Sequence, residues 1–164
     1  MRVKSIKMED FGPYVSQEID FTELNEQRLF LLQGKTGSGK STIIEAIVFA
    51  LFGKDSKGRD SETRRNTAPE NSRTRVTLVM EIEGRDYRIV RSPQQVKEGR
   101  KAPLPQSISM VELDGDGIEI AGRSWSAVKE VEAQIATLIR LNHDQFNRIA
   151  VLPQGMFDRF VKSK

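Results

Sequence analysis

Alternating apolar and polar positions mark several parts of the chain as strands. Residues 3–8 and 14–21 alternate on either side of a Phe-Gly-Pro break, a pattern that predicts a hairpin. The alternation returns in two further pairs of segments, residues 76–82 with 87–90 and residues 108–113 with 118–121. The second pair flanks Asp-Gly-Asp-Gly, a strong hairpin-turn signal. The middle of the chain is therefore predicted to be an antiparallel meander.

Two segments near the N-terminus depart from this alternation. Residues 28–33 form a near-continuous apolar run, which is typical of a strand buried on both faces. Apolar residues then recur at helical spacing over residues 40–52, and Gly53 stands where a helix commonly places its C′ glycine. Residues 54–72 are polar, carry both charges and lack periodicity, so we expect a surface loop.

The C-terminal third predicts two more helices. The first starts at Ser126 as N-cap and runs to about Leu141 with an apolar stripe on one face. Asn142 with Gln145 three residues later is a second capping signal. The predicted class is α/β: a mixed sheet around the helix at 40–52, with the meander as an antiparallel arm.

Composition narrows the class of protein without identifying its function. The chain has 164 residues, which predicts one domain, and no cysteine, which excludes disulfides and thiolate metal sites. The formal net charge of +3 is a weak basic bias that permits an anionic partner. No secretory signal and no membrane span is recognisable, so we expect a cytoplasmic protein.

The strongest chemical signal is a phosphate-binding motif between the apolar run and the first helix. Gly-Lys-Thr-Gly-Ser-Gly-Lys-Ser fits G-x-x-x-x-G-K-[ST] at each fixed position. Its glycines let backbone N–H groups point at phosphate oxygens, Lys40 reaches the β- and γ-phosphates, and the Ser41 hydroxyl is the expected Mg²⁺ ligand. The candidate nucleotide-binding residues are Gly34, Lys35, Thr36, Gly37, Ser38, Gly39, Lys40, Ser41 and Thr42.

A catalytic carboxylate is harder to find in the sequence. A hydrolysing P-loop protein needs a second apolar strand that ends in Asp, usually followed by a carboxylate that orients water. Residues 108–114 come nearest, but they alternate and run into a hairpin turn, as a half-exposed strand does. The Asp-Gly-Asp-Gly turn does not fit an EF-hand loop, and no guanine-reading Asn-Lys-x-Asp pattern is present.

Four segments together resemble the N-terminal part of the SbcC family of SMC-like ATPases. They are Phe-Gly-Pro-Tyr near the start, the phosphate-binding motif with its helix, Tyr-Arg-Ile-Val-Arg-Ser-Pro, and the segment around Leu-Pro-Gln-Gly near the end. The resemblance implies an ABC-type ATPase head that is split in sequence. Residues 1–164 would be its N-terminal half, ending where a coiled coil would begin, and the signature motif and Walker B would lie in the C-terminal half.

The resemblance also implies cofactors, partners and one further site residue. Gln154 matches the glutamine of the Q-loop, which would complete Mg²⁺ coordination and act with Lys40 in catalysis. ATP would bind between two heads, so the expected partners are the C-terminal half, a second head in a homodimer, the nuclease SbcD and double-stranded DNA ends. Because half of the site would be missing, we expect little or no turnover by this chain alone.

Other observations leave alternatives open. Basic residues crowd the loop after the first helix, where they either grip DNA or form a solvated surface, and Arg64 or Arg65 could instead approach bound nucleotide. Arg88 and Arg91 fit ion pairs within the sheet, and His143 fits the first turn of a helix. Two rival functions remain: a self-contained small P-loop NTPase or kinase, and a non-catalytic nucleotide-binding regulatory module.

Overall fold

A computed structural model describes residues 1–23, 32–56, 63–96 and 102–150. Within these ranges the chain forms one sheet and three helices, an α/β arrangement. The elements are β1 (Arg2–Phe11), β2 (Tyr14–Asp20), α1 (Lys40–Phe52), β3 (Arg75–Ile82), β4 (Arg85–Ser92), β5 (Ser107–Leu113), β6 (Glu119–Trp125), α2 (Val128–Ile139) and α3 (His143–Ala150).

The sheet has six strands in the order β2-β1-β3-β4-β5-β6, and each neighbouring pair in it is antiparallel. The three predicted hairpins are confirmed, since β1–β2, β3–β4 and β5–β6 pair as sequence neighbours. The predicted mixed sheet is not seen among the described residues. The strand predicted at 28–33 lies outside them as far as residue 31, and Leu32 and Gln33 are exposed and outside any strand.

One face of the sheet carries the core, because successive side chains of a strand point to opposite faces. α1 packs across β1, β3 and β4, and α2 packs on β5. The side chains that α1 covers on β1 and β3 are almost fully buried, as their apolar alternation predicts; they include Ile6, Met8, Leu78 and Met80. This packing holds α1, and with it the phosphate-binding motif, on the middle of the sheet.

The predicted start and end of the second helix were wrong by a few residues. Its N-cap is Ala127, which makes no side-chain cap hydrogen bond, and Ser126 lies one residue before it. β6 continues to Trp125, so the chain needs both intervening residues to turn into the helix. The helix ends at Ile139 rather than near Leu141, because Arg140 is left-handed at φ 57° and closes it with a bond to Ala136.

The capping signal of the third helix is confirmed in atomic detail. The Gln145 N–H donates to the Asn142 side-chain oxygen at 2.9 Å, and the Asn142 N–H donates to the Gln145 side-chain oxygen at 3.0 Å. This reciprocal pair is a capping box and fixes where α3 begins.

Among the described residues no helix is long and apolar enough to cross a membrane.

A buried arginine ties α1 to the sheet at the end opposite the phosphate-binding motif. The Arg91 side chain on β4 is 2% exposed and donates to the backbone oxygens of Ala50 and Leu51, at 3.0 and 3.2 Å. Glu132 of α2 lies 3.8 Å from its guanidinium. Burial lowers the pKa of Arg91 to about 10, against the opposing effect of Glu132, so the group remains a cation near neutral pH.

Candidate nucleotide-binding site

The phosphate-binding motif forms an exposed loop that turns directly into α1. Gly37 and Gly39 have φ of 85° and 87°, a left-handed conformation that L side chains rarely adopt. The Ser38 N–H donates to the Lys35 oxygen at 3.2 Å, and Gly39 is the N-cap of α1. The residues from Gly34 to Thr42 therefore lie together, as the motif predicts.

Gly39 is fixed by a close neighbour as well as by its conformation. A Cβ atom at this position would lie 2.5 Å from the Tyr14 hydroxyl oxygen and 2.9 Å from a Pro13 ring carbon. The Tyr14 hydroxyl also lies 3.4 Å from the Ser38 oxygen. Any larger residue than glycine at position 39 would therefore push the loop away from the β1–β2 turn.

The β1–β2 turn is the part of the site that sequence reasoning missed. The sequence marks it as the break in a hairpin and as one of the segments that resemble the SbcC family, but assigns it no contact with the loop, whereas Pro13 and Tyr14 support Gly39. Gly12 approaches Thr42 so closely that an added Cβ would meet the threonine methyl at 2.6 Å. The signal was available, because Gly-Pro-Tyr gives a rigid turn with a large aromatic side chain.

Lys40 lies at the start of α1 with its ammonium group turned back over the loop. Its Nζ donates to the Gly34 oxygen at 2.7 Å and to the Lys35 oxygen at 2.8 Å. A third oxygen, Ser38 Oγ, lies 3.4 Å away. The cation is thereby centred on the concave side of the loop, where a phosphate group bound to the loop would meet it.

The N-terminal turn of α1 suits an anion. It has no acidic residue, and within the described part of the chain no side chain caps it. The first N–H groups of a helix lack partners in the helix itself and carry the positive end of its dipole. Ser41 is exposed on this turn, so its hydroxyl is accessible to an ion above the loop.

Arg64 and Arg65 lie beside the β1–β2 turn rather than over the phosphate loop. Arg64 donates to the Pro69 and Ser72 backbone oxygens at 2.7 and 3.0 Å, which closes its own loop. The two arginines line a cleft of about 400 Å³ together with Gly12, Pro13, Asn66 and Thr67. The cleft borders the phosphate-binding motif at Gly12, because Gly12 lies close to the Thr42 side chain.

Arg65 forms a largely buried ion pair with Asp10 at the end of β1. Its Nε and Nη2 lie 3.1 and 3.0 Å from the same carboxylate oxygen, and the Arg65 N–H donates to the Asp10 backbone oxygen at 3.0 Å. Asp10 is left-handed at φ 46°. A hydrogen bond from Ser72 and then the Arg65 guanidinium lower the pKa of Asp10, against the opposing effect of burial.

This pair predicts a pH-dependent contribution to stability. Because the folded-state pKa of Asp10 lies below its ordinary value of 3.8, the contribution is complete above that value and is lost as the pH falls through the folded-state pKa. We expect Asp10→Asn to lower the unfolding free energy by about 1–3 kcal/mol at neutral pH, and this difference should shrink as the pH falls below 3.8 toward the folded-state pKa of Asp10.

Urea unfolding at several pH values measures this effect. Asp116→Asn is the matched control, because Asp116 is an exposed acid in the β5–β6 turn. A difference between wild type and Asp10→Asn that stayed constant down to about pH 2.5 would contradict the assignment of the effect to the Asp10 carboxylate.

Gln154 lies outside the described residues, so its predicted place at the site stays a prediction. The described residues contain no group of three or more His, Asp or Glu side chains that could hold a metal ion. Asp114, which ends the segment that comes nearest to a Walker B strand, accepts hydrogen bonds from the Asp116 and Ile118 N–H groups in its hairpin turn. Its role in the structure is that of a turn residue.

Comparison with known proteins agrees with the phosphate-loop geometry. A family model described as an AAA domain, AAA_23, matches residues 5–164. The chain is 34% identical over 165 residues to the C subunit of nuclease SbcCD from Staphylococcus haemolyticus (strain JCSC1435), an alignment that covers 99% of this chain. It is 38% identical over 164 residues to the C subunit of nuclease SbcCD from Lactococcus lactis subsp. lactis (strain IL1403), with 96% of this chain covered.

The same alignments show how much of each relative is represented. They span 16% of the length of both proteins, so the chain corresponds to about a sixth of these curated relatives. The resemblance to SbcC that the four sequence segments indicated is thereby confirmed over nearly the whole chain.

Proposed function

Because the chain belongs to the AAA_23 family of AAA domains, we propose that it is the ATP-binding N-terminal half of an SbcC-like ATPase head of the ABC type. The observation that carries the proposal is the loop at the start of α1, where left-handed glycines, the Lys40 cation and an uncapped helix N-terminus converge. Such a site favours a polyphosphate on both charge and hydrogen bonding.

The proposed cofactors are ATP and Mg²⁺. The residues from Gly34 to Thr42 would hold the phosphates, and Lys40 would neutralise charge on the β- and γ-phosphates. Mg²⁺ takes oxygen ligands, which the exposed hydroxyl of Ser41 and the side-chain amide of Gln154 can supply. When bound, the ion would offset negative charge on the phosphates and polarise the terminal one.

The cleft beside the phosphate loop is the proposed place for the nucleoside. Gly12 joins this cleft to Thr42, so a nucleotide with its phosphates on the loop can extend toward Asn66. Arg64 and Arg65 line the cleft while their guanidinium groups hold backbone and carboxylate oxygens. We therefore propose that both arginines form part of the wall of the cleft and contact the nucleotide from there.

The proposed partners follow from the missing parts of the site. Within the described residues no buried strand supplies a Walker B carboxylate, so hydrolysis requires the C-terminal half of the head. A second head would complete each site, and ATP would favour the engaged pair by its higher affinity for that state. The relatives are parts of a nuclease, which supports SbcD and double-stranded DNA ends as further partners.

The experiment that tests this function compares binding with turnover. We expect calorimetry to show Mg-ATP binding by this chain and phosphate release to show no turnover, because the catalytic carboxylate is supplied elsewhere. Adding the C-terminal half of the head should restore hydrolysis. Turnover by the chain alone would instead identify a self-contained small NTPase, and binding that never leads to turnover with any partner would identify a regulatory module.

A further inference from the structure

The β1–β2 turn is held in place by contacts that lie outside the phosphate loop. Phe11, which leads into the turn, is 1% exposed and packs on Phe49 of α1 with ring centroids 5.6 Å apart. The Gly12 N–H donates to the Thr63 oxygen at 2.8 Å. The ring of Pro13 fixes its own φ and so stiffens the middle of the turn. The turn is therefore a firm surface against which a neighbouring loop can rest.

This turn contacts the start of α1 at two positions. Gly12 lies against the Thr42 side chain. Pro13 and Tyr14 lie against Gly39, the N-cap of the helix. The Thr42 N–H donates to the Gly39 oxygen at 2.9 Å, so both positions belong to a single turn of helix. The β1–β2 turn thus forms a wall along the part of the helix whose N–H groups would bind phosphate.

The contact with Tyr14 also determines the direction of one peptide group in the loop. The Ser38 oxygen lies 3.4 Å from the Tyr14 hydroxyl, and in a planar trans peptide the N–H points opposite to the C=O. The Gly39 N–H therefore points away from the tyrosine, and it has no hydrogen-bond partner among the described residues. Because 3.4 Å is long for an O–H···O hydrogen bond, the packing of the ring on Gly39 contributes more than the hydroxyl does.

We propose that Tyr14 is a positioning residue for phosphate binding, an inference that rests on the proposed function. Gly39 has φ of 87°, and glycine populates negative φ about as readily as positive φ. Without an external contact, the peptide group between Ser38 and Gly39 would therefore turn over easily. The ring of Tyr14 keeps it in the orientation that presents the free N–H to a phosphate oxygen. Binding then pays less for ordering the loop.

Calorimetric titration of the full chain with Mg-ATP tests this role. The shorter side chain of Tyr14→Leu does not reach Gly39, so we expect about 10-fold weaker binding, the cost of ordering the backbone of one residue. Tyr14→Phe keeps the end of the ring against Gly39 and should bind within about threefold of wild type. In ¹⁵N-labelled wild type the Gly39 amide resonance should shift when Mg-ATP binds. In Tyr14→Leu it should already be broadened before Mg-ATP is added.

Ile19→Ala is the matched control, because Ile19 is a partly buried core residue of the same strand, about 17 Å from Tyr14 along β2. It weakens the hairpin without reaching the phosphate loop. Equal affinity of Tyr14→Leu and wild type, or equal losses in Tyr14→Leu and Ile19→Ala, would overturn the positioning role alone. A Gly39 amide resonance that Mg-ATP leaves unmoved would do the same. If wild type shows no Mg-ATP binding that depends on Lys40, the proposed function fails and the positioning role fails with it.

Discussion

Lys40→Ala is expected to lower the affinity for Mg-ATP by about 100-fold or more. The ammonium group is the cation centred on the concave side of the loop, 2.7 and 2.8 Å from two backbone oxygens. A hydrogen bond to a charged group is worth about 1.5–3 kcal/mol, and two such bonds to phosphate oxygens correspond to a hundredfold or greater change in Kd. Calorimetric titration with Mg-ATP measures the change directly.

The loss should be confined to nucleotide binding. Lys40 is a partly exposed residue at the start of α1, and its partners are backbone oxygens of the exposed loop, so the melting temperature of Lys40→Ala should stay close to that of wild type. Lys129→Ala is the control for loss of one positive charge, because Lys129 is exposed on α2. Equal affinities for the Lys40 and Lys129 variants would refute the assignment of the loop as the phosphate site.

The sequence predicted correctly those elements whose signals all lie within one short segment of the chain. α1 and its Gly53 terminus were predicted in full, since the apolar period, the preceding glycines and the C′ glycine all act within one segment. The Asn142–Gln145 capping box was predicted for the same reason. Ser126 failed as an N-cap because the end of β6, a matter of strand pairing, decided where α2 could begin.

Contacts between distant parts of the chain were beyond these patterns. The sequence makes Arg65 a candidate nucleotide contact, but its guanidinium pairs with Asp10 of β1, and no spacing rule relates the two positions. The support of Gly39 by Pro13 and Tyr14 likewise depends on the β1–β2 turn lying against a loop more than twenty residues further along the chain. The sequence could therefore predict the loop and the helix that follows it but not the contacts that hold them in place.

The burial of Arg91 could be predicted from the alternation of β4, but its partners could not. Tyr87, Ile89 and Arg91 occupy every second position and so share the buried face of the strand. Ion pairing within the sheet was the expectation for Arg88 and Arg91. Arg88 does pair with Glu119, whereas Arg91 points under α1 and caps its last carbonyls.

Arg91→Ala is accordingly expected to be the most destabilising single change of those considered. It opens a cavity beneath α1 and leaves the Ala50 and Leu51 oxygens without their donor. Together these two effects should lower the free energy of unfolding by about 3–5 kcal/mol. In a domain of this size that corresponds to a fall of roughly 6–20 °C in melting temperature. Scanning calorimetry and urea unfolding measure the two quantities independently.

Two further variants separate the causes of that loss. Arg91→Met retains most of the volume and removes the donors, so its loss reports the unsatisfied α1 oxygens with little cavity. Arg88→Met is the matched control on the same strand, where the partly exposed pair with Glu119 contributes at most about 1 kcal/mol. If Arg91→Met were as stable as wild type, the guanidinium would be replaceable by apolar packing, as some buried ion pairs are. A loss in Arg91→Met well above that in Arg88→Met would instead show that the end of the phosphate-loop helix depends on hydrogen bonds from this one side chain.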